Sequence, residues 1–175
     1  NTTYVKAGYV SNDNGDGTYT VEEYKPVEVW TGYTGTKVAS YATIKEAVAN
    51  LGNNKWIVIA KDYTLDEDFT IPTGVFLDVA SGATLTVAEG TTLTVAADAK
   101  RLGVRTGATL ENNGTIMVLG TSGSNGYVMV QDDATFDVNT LSVREDHFLD
   151  NNGSNYFATA NANALYEITY TDGTV

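Results

Sequence analysis

The 175-residue chain has no cysteine, one histidine, two prolines, and ten lysines and arginines against 22 aspartates and glutamates. Without cysteine there is neither a disulfide framework nor a thiolate metal ligand. A single histidine, His147, argues against a three-histidine metal centre and against a histidine-based triad, whose supporting groups are missing. The shortage of basic residues leaves a net charge of -12. Such a field repels nucleic-acid phosphates and anionic lipid surfaces, so no nucleic-acid partner is expected. No apolar run approaches the ~18 residues of a transmembrane helix, so no membrane insertion is expected either. Charged residues make up only 18% of the chain, below the ~25% of ordinary globular domains. The polar surface therefore falls to Thr, Asn, Ser and Gly, and neutral glycans, proteins and divalent cations remain as partners.

What the chain does have is repetition. Ala83-Thr84-Leu85, Ala108-Thr109-Leu110 and Ala134-Thr135-Phe136 recur at intervals of about 25 residues. Val79, Val104 and Val130 keep the same beat, as do Leu93, Ile116 and Leu141. Three ladders with one period describe a chain that coils, each turn laid on the one before. Gly74, Gly82 and Gly90 are evenly spaced, each followed by a run that alternates like a strand. Short strands between glycine corners give a three-sided coil, and the long helices of a βαβ fold are missing. The spacing also places Trp56-Ile57-Val58-Ile59 one period before Ala83-Thr84-Leu85, as the first rung of that face, with Phe69 starting the Leu93 face and Leu77 and Val79 the third.

Ahead of the repeats, Tyr4–Val10 and Thr18–Tyr24 alternate around Asn12-Asp13-Asn14-Gly15-Asp16-Gly17, a hairpin pattern. The expected helix is Thr43–Leu51: Thr43 and Glu46 have capping-box spacing, and Ile44, Ala47, Val48 and Leu51 share one face. It would cover the open end of the first coil. The expected architecture is all-β: a single-stranded right-handed parallel β-helix of about four coils of ~25 residues, with an N-terminal capping helix and an N-terminal β-hairpin appendage. Its divisions are 1–40 (hairpin appendage), 41–149 (helix plus coils) and 150–175 (a C-terminal cap or the start of a following module), with a strand over Tyr166–Tyr170.

Tyr41-Ala42-Thr43-Ile44-Lys45-Glu46-Ala47 leading into Trp56-Ile57-Val58-Ile59-Ala60 resembles the start of pectin-lyase-like right-handed β-helices. Gly82-Ala83-Thr84-Leu85-Thr86-Val87 and Gly90-Thr91-Thr92-Leu93-Thr94-Val95 are similar to repeats of large bacterial cell-surface proteins. The resemblance covers about residues 41–149. It implies a fold and a setting, secreted and extracellular at the cell surface or wall of a bacterium, and brings no catalytic motif.

Several residues stand out as candidates. Asn12, Asn14, Asp16 and Glu23, with Gly17, fall at calcium-loop positions, although strands flank them where helices are required, so calcium is the one cofactor to consider. Glu111 and Asp137 each follow a ladder threonine by two residues, one coil apart, which makes them the carboxylate pair to test for catalysis. Acidic clusters lie at Asp66-Glu67-Asp68, Asp132-Asp133 and Glu145-Asp146, with Asp150 nearby. Lys100, Arg101 and Arg105 crowd one corner as an anion grip or as partners for nearby acids. Trp30 and Tyr33, in the tyrosine-rich front of the chain, are candidates for ligand binding.

The expected function is a non-enzymatic structural or adhesive module, an adhesin-like solenoid joined to other modules of a longer chain and facing a host or cell-wall glycan or protein. The alternatives are a polysaccharide lyase or glycosidase and a carbohydrate-binding module.

Overall fold

A computed structural model describes residues 8–120, 125–131, 133–138, 141–143, 157–159 and 168–170. These residues are all-β apart from one short helix. Strands β1 (Tyr9–Asp13) and β2 (Tyr19–Glu23) form a separate antiparallel hairpin. Strands β3 (Val27–Trp30) and β4 (Lys37–Tyr41) and helix α1 (Ile44–Ala49) follow. Next come β5 (Trp56–Ile59), β6 (Tyr63–Leu65), β7 (Phe69–Ile71), β8 (Phe76–Val79), β9 (Thr84–Val87) and β10 (Thr92–Val95). The stack continues with β11 (Arg101–Val104), β12 (Thr109–Asn112), β13 (Thr115–Val118), β14 (Tyr127–Val130), β15 (Thr135–Val138) and β16 (Leu141–Val143), then β17 (Phe157–Thr159) and β18 (Ile168–Tyr170).

From β5 to β17 the chain visits three sheets in a fixed cycle. The first has the order β4-β3-β5-β8-β11-β14-β17, the second β6-β9-β12-β15, and the third β7-β10-β13-β16-β18. All neighbours pair in parallel except at β3, which is antiparallel to both β4 and β5. The sequence ladders are in register: Leu85 with Leu110 and Leu110 with Phe136, Val79 with Val104 and Val104 with Val130, Leu93 with Ile116 and Ile116 with Leu141. Along β9, β10 and β13 every second side chain is buried, and Leu85, Leu93, Leu110 and Ile116 are fully enclosed. Each circuit is too short to bury its own inward residues, so its core is completed by the circuits beside it. Gly74, Gly82 and Gly90 hold φ of 71°, 76° and 77° at the corners, a conformation that costs a side-chain-bearing residue strain.

The Trp56 run lies on a different face from the expected one. Its partner is β8, with Ile57 opposite Leu77 and Ile59 opposite Val79, whereas β9 receives β6. The step from Ile57 to Leu77 is shorter than the step from Leu77 to Leu102. Projecting the later period backwards therefore overshoots by one face.

Helix α1 starts at Thr43, whose Oγ1 accepts from the Glu46 N–H at 3.1 Å, while Glu46 Oε2 accepts from the Ala42 N–H at 3.1 Å. These reciprocal bonds are the capping-box chemistry. The helix buries Ile44 and Ala47 against β3, β4 and β5. Among the described residues up to 40, only the β1–β2 hairpin stands apart. Its turn is confined to 14–18 because Gly15 and Gly17 take positive φ, so β1 runs on through Asn12 and Asp13. Strands β3 and β4 are part of the first sheet, with Val27 and Val29 fully buried against the stack. Near the far end, β18 extends the third sheet beside β16, and β17 extends the first beside β14.

Leu110→Ala is expected to destabilise the protein by about 2–5 kcal/mol in urea unfolding. Thr109→Ala, on the outward side of the same strand, should change stability by no more than about 0.5 kcal/mol. Equal costs would contradict the inward and outward assignment.

Candidate functional site

The densest chemistry lies on the outward side of the first sheet. Two rows of side chains cross its strands in register. One runs Trp30, Trp56, Phe76, Arg101, Tyr127, and the other Glu28, Val58, Asp78, Gly103, Met129. Asp78 is completely buried although it points away from the core. Arg101 holds it side-on, Nε to Oδ1 at 3.0 Å and Nη2 to Oδ2 at 2.8 Å. Arg105 donates to Oδ2 from Nε at 3.2 Å and Nη2 at 3.0 Å, and the Trp56 indole N–H donates to the same oxygen at 2.9 Å. Gly103 makes the room, since a Cβ there would overlap the Asp78 carboxylate.

Aromatic rings close the cluster. Trp56 and Phe76 stack with centroids 3.6 Å apart and planes within 4°. The Arg101 guanidinium lies 5.4 Å from the Phe76 centroid and 5.7 Å from that of Trp56. The loop 31–36 between β3 and β4 folds over this face and brings the Tyr33 ring 4.6 Å from the Arg105 guanidinium. Its hydroxyl accepts from Gln131 Nε2 at 2.9 Å, just beyond β14. The loop is tight: the Thr31 N–H donates to the Thr36 carbonyl, the Thr36 N–H to Thr31 Oγ1, and the Gly35 N–H to the Gly32 carbonyl. A Cβ at Gly35 would collide with Thr31.

Burial pushes the Asp78 carboxyl up, but Arg101's hydrogen bonds and charge, the Trp56 N–H and the charge of Arg105 outweigh it and hold Asp78 below its ordinary value. Arg101 is lowered by burial and raised more strongly by Asp78, so it stays charged. Two guanidinium groups share one carboxylate, and the electron-rich ring of Tyr33 faces the second of them.

The sequence candidates fall as follows. Arg101 and Arg105 are the Asp78 partners, while Lys100 donates to Asn125 Oδ1 at 2.8 Å, one circuit away. Trp30 donates its N–H to Glu28 at 2.8 Å, and Glu28 also pairs with Lys37 at 3.2 Å. Tyr33 is 40% exposed on its outer side. Trp56 and Phe76 turn one face to each other, with Arg101 at the rim of the stack at 5.7 and 5.4 Å from the two centroids, and Trp30 and Tyr33 are the aromatics beside them. Glu111 and Asp137 are register partners on β12 and β15, in a column that continues to Thr86 and Thr64. Glu111 accepts from Asn113 Nδ2 at 3.1 Å and from Thr86 Oγ1 at 3.5 Å.

The calcium candidates are spread along the hairpin and not gathered at one point. Asn14 Nδ2 donates to Thr18 Oγ1 at 2.9 Å, and Asp16 accepts from both the N–H and the hydroxyl of Thr18. Those Thr18 bonds, side chain first and backbone second, lower the Asp16 carboxyl from its ordinary value. Asn12 donates to Glu22, and Glu23, opposite Tyr9, pairs with Lys25 at 2.8 Å. Among the described residues no three or more histidine or acidic side chains are grouped to hold a metal ion. In the Asp66-Glu67-Asp68 cluster, Glu67 pairs with Lys45 of α1, and Asp68 accepts from the Thr92 N–H at 2.8 Å. Asp132, Glu145, Asp146, His147 and Asp150 lie outside the described residues.

Asp78 itself carried no sequence flag, because Leu77 and Val79 read as ladder residues on either side of it. The available signal was its one-period separation from Gly103: a strand acid over a glycine one circuit later, with arginines flanking that glycine. Among the described residues no helix is long and apolar enough to cross a membrane. Comparison with protein-family models, curated proteins and solved structures finds no match.

Asp78→Asn removes the buried counter-charge of two part-buried guanidinium groups and should cost about 3–5 kcal/mol at neutral pH. Because the folded Asp78 pKa is depressed, its contribution is complete above the unfolded value and is lost as pH falls through the folded one. The stability gap between wild type and Asp78→Asn should thus be constant from pH 6 to 8 and narrow below about pH 3.9. A gap independent of pH down to acid unfolding would show that the Asp78 charge contributes nothing.

Proposed function

We propose that the chain is a non-enzymatic structural and adhesive module of a secreted bacterial cell-surface protein, built as a right-handed parallel β-helix that spaces or displays neighbouring modules. The observation that carries this reading is where the outward polar groups go: they bond to the next circuit. Asp62 Oδ1 accepts from the Thr84 N–H at 2.9 Å, and Asp68 from the Thr92 N–H. Thr73 donates to Asp98 at 2.6 Å, Lys100 to Asn125, and the Thr106 N–H to Gln131 Oε1 at 3.1 Å. Each link ties residues about one circuit apart, extending the backbone ladder beyond the strand ends. Side chains used this way stiffen a rod, whereas a catalytic cleft needs polar groups held ready for substrate. The corners 80–83, 88–91 and 105–108 are short, which also favours a spacer over a groove. The similarity of the Thr-rich repeats to those of large bacterial surface proteins supports the extracellular setting.

The exposed outer side of Tyr33, close to Trp56, supports a second reading in which this face binds a neutral glycan.

Incubated with neutral and acidic polysaccharides, the purified chain should release no reducing ends or unsaturated products, and Glu111→Gln and Asp137→Asn should behave like wild type. Turnover abolished by either substitution would overturn the non-enzymatic reading. Glycan-array binding that disappears with Trp30→Ala would establish the second.

A further inference from the structure

We propose that β3, backed by β4 and α1, is a self-supplied strand occupying an acceptor edge on β5, that the 31–36 strap latches it there, and that an unlatched β5 edge takes the same strand from a second copy of this chain. The inference is independent of what the module displays or binds.

Strand β5 opens the parallel stack, and its outer edge needs a partner. Strand β3 supplies one in antiparallel register, Val27 opposite Ile59 and Val29 opposite Ile57, with both valines fully buried. A second attachment is separate from this ladder. The strap crosses the outward face and fixes Tyr33 to Arg105, which follows β11, and to Gln131, which follows β14. The cap is thus held at its neighbour and again at strands two and three places further along the sheet. Residues 50–55 join it covalently to β5, a short connection in which Gly52 has φ of 59°. Besides the ladder and the strap, α1 ties the cap to the coils through Lys45 to Glu67 and the Ile44 N–H to the Tyr63 hydroxyl. An element held non-covalently in this way and joined by one short connection can exchange between identical chains, because every contact made within one copy can be made between two.

The occupant follows from the same contacts. A foreign strand with alternating valines could satisfy the β5 ladder, but only a strand followed by this strap also places an aromatic ring on Arg105 and an acceptor on Gln131. The strap brings Tyr33 and no carboxylate to this face, and Glu28 of β3, which shares the face, is already paired with Lys37 of β4.

The latch and the exchange are read separately. In Tyr33→Ala, backbone amides of residues 27–41 should exchange with deuterium about tenfold faster, the scale of losing a desolvated cation–π contact, while amides of 76–79 and 101–104 keep their protection. Tyr33→Phe, which keeps the ring and loses the Gln131 bond, should fall between. Exchange is then tested with Glu28→Cys and Val58→Cys, register partners on β3 and β5 in a chain that has no other cysteine. With Tyr33 intact the disulfide should close within one chain. With Tyr33→Ala, oxidation at rising protein concentration should give covalent dimers on a non-reducing gel. Cap and coil amides accelerating together would overturn the latch, and intrachain disulfide alone at every concentration would overturn the second copy. Should Tyr33→Ala fail to fold, Gln131→Ala is put through the same two measurements, with the same outcomes deciding.

Discussion

Each inward side chain of the stack rests on its counterpart one circuit away, and the rest of the architecture depends on that in-register burial. A strand shifted by one residue would turn its whole apolar set to solvent, so the register cannot drift. The corners absorb what the strands cannot. The step from Ile57 to Leu77 is shorter than that from Leu77 to Leu102, yet both pairs meet in register with their side chains enclosed. Corner length is therefore free to vary, and Gly74, Gly82, Gly90, Gly107 and Gly126, all with positive φ, let the chain turn sharply. Asn112 obeys the same register at an inward position between Val87 and Val138, and it stays there because its side chain is hydrogen-bonded, with Oδ1 accepting from the Gly114 N–H.

Register also organises the outside. Parallel strands bring the same outward position of successive circuits together at ~4.8 Å, so a charge on one rung must be answered by the rungs beside it. On the first sheet the answer is Asp78 between Gly103, Arg101 and Arg105, a buried charge made tolerable by charge-assisted hydrogen bonds on both oxygens. On the second sheet the column Thr64, Thr86, Glu111, Asp137 gains negative charge along the stack. Glu111 there is bonded by neutral donors, Asn113 and Thr86. The two faces thus have opposite character, one self-neutralised and covered, the other polar and acidic.

The inward half of this organisation was legible in the sequence, because identical packing demands at each rung select similar residues and leave a period. Val79, Val104 and Val130 could be aligned without knowing what surrounds them. So could the helix cap, since Thr43 and Glu46 act within one turn of chain. The face of Trp56–Ile59 was not legible, because apolar run and period alone cannot fix a circuit whose corners are shorter. Nor was the membership of β3 and β4 in the first sheet, which rests on antiparallel pairing across α1 and the connection after it, with no repeat to mark it. Asp78 was hidden for a different reason: its meaning depends on the absence of a side chain at Gly103 and on a tyrosine from a loop far away in sequence.

The same cluster narrows where a partner could be recognised. An aromatic ring serves a sugar or an apolar partner through its faces. Trp56 and Phe76 have each given one to the other, with Arg101 at the rim of the pair, and Tyr33 stands against Arg105. Of the aromatics at the front of the chain, Trp56 and Tyr33 belong to this cluster, whereas Tyr9 and Tyr19 stand exposed on the separate hairpin, and the partly exposed Trp30 has its N–H engaged by Glu28. Away from the cluster, the second sheet brings Thr64, Thr86, Glu111 and Asp137 into register one circuit apart, a polar column built by the same parallel pairing that stacks the core.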